Sequence, residues 1–220
     1  MILNYLNISY LDMGIMSNHL SKNYLKVLNE KYLFNRDKLL SGGGRIVLKY
    51  ILSKLGIDNY TISIDDSGKP YIYNIPNLHF NISHSDQFVL VGVSNENIGV
   101  DIEKIQDLDY NGISKHFFHL LEHEKIVNSK NPIKTFFKIW TLKESYAKMK
   151  GTGITDLKSF LVDIEKNRIE DMKEDKTEDV KLKSWELNSE YYISTCSKKK
   201  NIIKKPQEIQ YSEINSSWKP

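Results

Sequence analysis

The sequence predicts an α+β protein of two similar α+β halves, and three observations lead there. Helix-like and strand-like runs recur in both halves of the chain. With 220 residues and 40% hydrophobic side chains, there is material for one large core or two small ones. Gln87-Phe-Val-Leu-Val-Gly-Val-Ser94 is echoed by Glu190-Tyr-Tyr-Ile-Ser-Thr-Cys-Ser197, each behind an earlier strand of its own half. We divide the chain into 1–104 and 105–220.

The elements follow in order. The opening stretch MILNYLNISYLDMGIM lacks the basic start and unbroken apolar run of a signal peptide. Leu20, Tyr24, Val27, Leu28 and Tyr32 recur at helical spacing, so residues 18–40 hold one or two helices. Ser41-Gly-Gly-Gly-Arg45 is expected to be a flexible turn, or a helix start offering backbone N–H groups to an anion. Behind it IVLKYILSKL is a helix that stops at Gly56. TISIDDSGKPYI alternates around Asp-Ser-Gly as a hairpin does, and NLHFNISHS is a further strand. QFVLVGVS and IGVDIEKI, joined by Asn95-Glu96-Asn97, are expected to pair as a second hairpin. Residues 112–150 are helical. Residues 157–164 and 190–196 return to strands, with the charged run 165–184 between them as a surface loop. Lys198, Lys199, Lys200, Lys204 and Lys205 form either a solvated end or a short nucleic-acid patch.

Composition narrows the function. The net charge of +3 is mild and does not demand nucleic acid. The single Cys196 can form neither an internal disulfide nor a zinc cluster, and it suits a reducing cytosol. No run approaches the ~18 apolar residues of a membrane helix. The expectation is a soluble, cytoplasmic protein.

Two stretches carry chemistry. On a strand, residues two apart share a face, so Asp101 and Glu103 in Gly99-Val-Asp-Ile-Glu103 lie side by side. Neighbouring carboxylates repel unless water or a cation lies between them. Magnesium binds through one or two carboxylates plus substrate phosphates. A salt-bridged strand face is the plainer alternative. In FFKIWTLKESYAKMKG, at about 100° per residue from Trp140, the stripe of Phe136, Phe137 and Ala147 also contains Glu144, with Lys143 and Lys148 on its flanks. A carboxylate in an inward stripe is costly without partners; a structural pair with Lys148, four residues on, would also supply one. Together these groups suit a magnesium ion holding a diphosphate, with a carboxylate able to take a proton from an attacking hydroxyl. In Asn81-Ile-Ser-His-Ser85, adjacent Ser83 and His84 point to opposite faces, so they are no Ser–His dyad, and His84 could donate to a phosphate.

The ordered set Gly68-Lys69-Pro70, Asn81-Ile-Ser-His-Ser85, Gly99-Val-Asp-Ile-Glu103 and Trp140-Thr-Leu-Lys-Glu-Ser-Tyr-Ala-Lys148 resembles the Sfp-type 4′-phosphopantetheinyl transferases. The resemblance implies that family's fold, a pseudo-twofold monomer of two similar α+β halves with coenzyme A bound between them. The chain is too long for the half-length trimeric carrier-protein synthases, which share the last motif. The implied activity is magnesium-dependent (or manganese-dependent) transfer of phosphopantetheine from coenzyme A to a serine of an apo carrier protein, releasing 3′,5′-ADP. Carriers of peptide, polyketide and fatty-acid synthases are the implied partners, with nonribosomal peptide and antibiotic biosynthesis as a setting.

By position, Asp101, Glu103 and Glu144 match the family's metal ligands, Glu144 also being the base. Lys148 would steady the diphosphate and leaving group, and Lys143 would aid phosphate binding. Lys69, Pro70, Ser83 and His84 match residues lining the nucleotide and phosphates. The family's arginine for the 3′-phosphate is replaced by Leu40, leaving Arg36 or Arg45 as substitutes. The alternatives are a coenzyme A-binding module without turnover and an RNA-binding protein using the lysine-rich tail.

Overall fold

The computed structural model describes residues 1–172, 174–198 and 202–216, with the backbone alone for 154–156, 215 and 216. Its strands are β1 (Ile2–Asn7), β2 (Ile62–Ile64), β3 (Pro70–Ile72), β4 (His79–Ser85), β5 (Phe88–Ser94) and β6 (Ile98–Lys104) in the first part of the chain. Then come β7 (Phe160–Asp163), β8 (Arg168–Asp171), β9 (Lys176–Thr177), β10 (Val180–Leu187), β11 (Tyr191–Lys198) and β12 (Gln207–Glu208). The helices are α1 (Met13–His19), α2 (Lys22–Lys31), α3 (Asn35–Lys54), α4 (Tyr110–Phe117), α5 (Leu120–Val127), α6 (Pro132–Lys150) and α7 (Tyr211–Ser216).

Two sheets organise the molecule. The first runs β12-β1-β5-β4, and α3 packs on it. The second runs β10-β11-β6, and α6 packs on β6 and β11. The two echoed segments are β5 and β11, each inside its own sheet and each under the long helix of its half. That is the paired α+β architecture the sequence predicts.

Several local expectations change. Gly42, Gly43 and Gly44 are neither a turn nor a helix start; they lie buried inside α3. A Cβ on Gly43 would come within 3.1 Å of Ile8, and one on Gly44 within 2.8 Å of Ile82. The glycines are accommodated because they let α3 approach its neighbours closely, which offsets their poor helix propensity. The charged run 165–184 is not a loop: it contains β8, β9 and the start of β10. Lys204 and Lys205 lead into β12, which pairs in parallel with β1, so the tail returns to the first sheet. Lys199 and Lys200 lie outside the described residues.

The most consequential change concerns β5 and β6. They are not a hairpin. β5 pairs with β1 and β4, whereas β6 pairs antiparallel with β11, Ser194 opposite Asp101. The division at residue 104 therefore cuts behind a strand that is hydrogen-bonded into the second sheet. Where the sheets meet, side chains replace the main-chain ladder. Asn81 Oδ1 accepts the Val100 N–H at 2.8 Å, Ser83 Oγ the Ile102 N–H at 3.4 Å and Ser85 Oγ the Lys104 N–H at 3.1 Å. Residues 81, 83 and 85 share a face of β4, so one alternating run satisfies three donors along the inner edge of β6.

Candidate active site

Asp101 is the buried centre of the site, at 1% exposure on β6. Its Oδ1 accepts from Ser83 Oγ at 2.8 Å and from the Lys148 ammonium at 2.6 Å. Lys148 also donates to Ser83 Oγ at 3.0 Å. Asp101 Oδ2 is buried with no hydrogen-bond partner among the described residues. On the same face Glu103 accepts from Ser85 Oγ at 2.8 Å. Glu144, 8% exposed on α6, sits one helical turn before Lys148.

Why these groups meet follows from the packing of α6 on β6. Asn131 caps the helix start by accepting the Lys134 N–H, Pro132 occupies its first position, and Gly151 ends it at φ +78°. The helix lies so close to β6 that a Cβ on Gly99 would fall 1.8 Å from the Ser145 carbonyl oxygen. Only glycine allows that approach, and it brings residues 144 and 148 over Asp101.

The electrostatics are those of carboxylates crowded out of water. Burial first, and then repulsion from Asp101, push Glu103 and Glu144 each up to about 7. Burial alone would lower Lys148, but Asp101, Glu144 and Glu103 outweigh it and hold its pKa above the ordinary lysine value. The site is thus short of positive charge even with Lys148 in place. An unpartnered carboxylate oxygen and two carboxyls unwilling to ionise are what a divalent cation would offset, so the residues present fit one. Among the described residues no three His, Cys, Asp or Glu side chains form a ready-made metal cage. The set is open, as suits an ion that takes remaining ligands from phosphates and water.

Beside these groups lies a cleft of about 480 Å³ lined by Tyr24, Lys31, Arg45, Gly68, Pro70, Phe80 and His84, among others. Arg45 stacks on the Tyr24 ring, 4.7 Å from its centroid. His84 points into the cleft, opposite in sense to Ser83. Desolvation, then Lys148, lower its pKa, leaving a neutral imidazole at pH 7.

Four expected residues land elsewhere. Lys143 is fully buried and its ammonium donates to both Glu122 oxygens, at 2.8 and 2.7 Å, and to the Phe160 carbonyl at 2.8 Å. It fixes α6 to α5 and β7 and cannot also serve a phosphate in the cleft. Arg36 pairs with Asp86 rather than lining the cleft, leaving Arg45 of the two. Ser83 orients Asp101 and Lys148 instead of lining a nucleotide pocket. Lys69 is turned away to Asn97 and to the Met149 carbonyl. The sequence reading also passed over Ser85, Glu122, Tyr24 and Lys31. The first could have been found from the Asn-x-Ser-x-Ser alternation; the others carried no local signal.

Known proteins match this chain in sequence. Residues 97–196 match a family model described as the 4′-phosphopantetheinyl transferase superfamily, and residues 15–96 match one described as the N-terminal part of 4′-phosphopantetheinyl transferases. The chain is 35% identical to the 4′-phosphopantetheinyl transferase gsp of Aneurinibacillus migulanus, over 82% of this chain and 78% of that protein.

The chain belongs to the 4′-phosphopantetheinyl transferase superfamily.

It is also 27% identical to Sfp of Bacillus subtilis, over 78% of this chain and 79% of Sfp. A more distant relative is the L-aminoadipate-semialdehyde dehydrogenase-phosphopantetheinyl transferase of Mus musculus, 29% identical over 56% of this chain and 46% of that protein. This transferase accordingly performs the family activity, coenzyme A-dependent modification of carrier proteins. The two family models meet between residues 96 and 97. That junction, rather than residue 104, is where the chain passes from the first sheet to the second.

Proposed function

We propose that the transferase works with a magnesium ion (manganese being the nearest substitute) seated between Asp101, Glu103 and Glu144 beside the Tyr24–His84 cleft. The observation that carries this is the orphaned Asp101 Oδ2 next to two carboxyls raised to about 7. When bound, the ion supplies charge neutralisation for the coenzyme A diphosphate. The chain's residues do the rest. The cleft orients the nucleotide end, with Arg45, Lys31 and His84 as its polar contacts. Glu144 takes the proton of the carrier serine hydroxyl. That oxygen attacks the β-phosphorus of coenzyme A, the bond from this phosphorus to the bridging oxygen breaks, and 3′,5′-ADP leaves with the electron pair. Lys148 supplies counter-charge as the leaving group departs, and no covalent enzyme intermediate is required.

The test is mass spectrometry of apo carriers from peptide, polyketide and fatty-acid synthases, incubated with the protein and coenzyme A. A phosphopantetheine mass gain that needs magnesium and falls at least 100-fold in Glu144→Ala is expected. Full activity in excess chelator, or in that variant, would overturn the reading. The panel also identifies the carrier class. The cytoplasm is the compartment we propose, in keeping with one buried, free cysteine. No helix among the described residues is long and apolar enough to cross a membrane.

A further inference from the structure

Among the described residues the hairpin β2–β3 forms a sheet of its own, hydrogen-bonded to no other strand. Two-stranded hairpins are marginal alone; this one buries Ile72 in the core beside β4 and meets α6 at its tip. That tip, Asp65–Gly68, is organised by Asp65, whose carboxylate accepts the backbone N–H groups of Ser67 and Lys69, each at 2.9 Å. It meets the end of α6: a Cβ on Gly151 would lie 3.4 Å from Ser67 Oγ. Lys69 then donates to the Met149 carbonyl at 3.2 Å and to Asn97 Oδ1 at 3.0 Å, while Asn97 Nδ2 donates to the same carbonyl at 2.7 Å.

The last carbonyls of a helix lack partners within it and carry the negative end of its dipole. Here one is met by a cation and an amide from two separate turns outside the helix. Met149 follows Lys148, the residue that reaches Asp101. We propose that Lys69 is a positioning residue: acting through the Met149 carbonyl and Asn97, it holds the last turn of α6 so that Lys148 and Glu144 stay aligned with Asp101. The same contact ties the cleft wall, formed by Gly68 and Pro70, to the catalytic helix. This rests on the placement of the reaction at Asp101, Glu144 and Lys148.

The experiment is steady-state kinetics on Lys69→Met, which keeps the apolar stem and removes the donors, with calorimetric binding of 3′,5′-ADP alongside. The positioning role gives a kcat about tenfold lower, a KM for coenzyme A within twofold of wild type, and unchanged 3′,5′-ADP affinity. Lys69→Arg recovers part of the kcat. Unchanged kcat in Lys69→Met overturns the proposal. So does a tenfold rise in KM and loss of 3′,5′-ADP affinity with kcat retained, which would mean that the ammonium serves the phosphates. Asn97→Ala is the second variant should Lys69→Met fail to fold: its kcat falls with KM held, and an unchanged kcat overturns the proposal equally. Glu144→Ala separates the two claims. If Glu144→Ala stays active, the site assignment has failed; if it is inactive while Lys69→Met keeps its kcat, only the positioning role has failed.

Discussion

Glu144 and Lys143 are adjacent, and the structure gives them opposite work. One faces Asp101; the other is sealed against Glu122 and two aromatic rings. A helical wheel places both near the apolar stripe and cannot tell them apart, because the partner that claims Lys143 arrives on another helix. The Glu122–Lys143 pair is fully satisfied, which is what makes so buried a charge tolerable. Glu144 has no such partner among the described residues, and its raised pKa has a consequence for stability. In the metal-free protein its folded pKa, about 7, exceeds the unfolded value near 4.5, so the folded state holds more protons between those limits. Stability then falls as pH rises from about 4.5 to 7, by at most about 3 kcal/mol for this group. The lowered His84 acts in the opposite sense, losing its proton more readily when folded, so the comparison must isolate the glutamate. Thermal melts in chelator at pH 5 and pH 8 are expected to show a larger loss for wild type than for Glu144→Gln. Equal losses would mean that Glu144 ionises normally.

At the scale of elements, the geometry of the proposed site depends on one close approach. α6 lies on β6 at Gly99, where a Cβ would also stand 2.5 Å from the Met149 nitrogen. Both atoms it meets are helix backbone and cannot rotate aside. Gly99→Ala is therefore expected to displace α6, at a cost of about 1–3 kcal/mol. Activity should fall further than the melting temperature implies, because Lys148 and Glu144 move with the helix; a soluble variant with wild-type kcat would refute this. The helix itself was legible in the sequence, down to its Gly151 stop, because an amphipathic run with a Pro start and Gly end has strong local signals. So were the β2–β3 hairpin and the carboxylate strand. β1 was not: its four central residues are buried on both faces, which erases the alternation by which strands are recognised. The triple glycine misled because its reason is tertiary, in Ile8, Met16 and Ile82, and the strands in 165–184 were hidden by their charge. Asp101, Glu103 and Glu144 could be nominated from spacing, but the turning away of Lys69, Arg36 and Lys143 could not, since each is claimed by a distant group.

Across the whole molecule, the two sheets meet without a shared main-chain ladder among the described residues. The seam is the Asn81–Ser83–Ser85 run, with Lys69 and Asn97 at one end and Asp86 at the other. Asp86 accepts from Lys104 at 2.7 Å, from Tyr191 at 2.7 Å and from Arg36, so one carboxylate gathers α3, β6 and β11. Hydrogen bonds from Lys104 and Tyr191 lead the causes that hold its pKa down at about 2. The sign is opposite to that of Glu144: the contribution is present above the unfolded value near 4 and is lost as pH falls through 2. The group is 27% exposed, so solvent screening reduces what the shift suggests to about 1 kcal/mol. Asp86→Asn isolates the charge, because Asp86 sits at φ +51°, a conformation Asn tolerates better than Ala. For a chain of this size that loss amounts to a melting temperature lower by about 2–4 °C at pH 7. The difference should shrink as pH falls to 2, where wild type is about half protonated, and shrink in 1 M salt, where ion pairs at the surface are screened. A deficit as large at pH 2 as at pH 7 would place the effect in packing rather than in the charge that joins the halves.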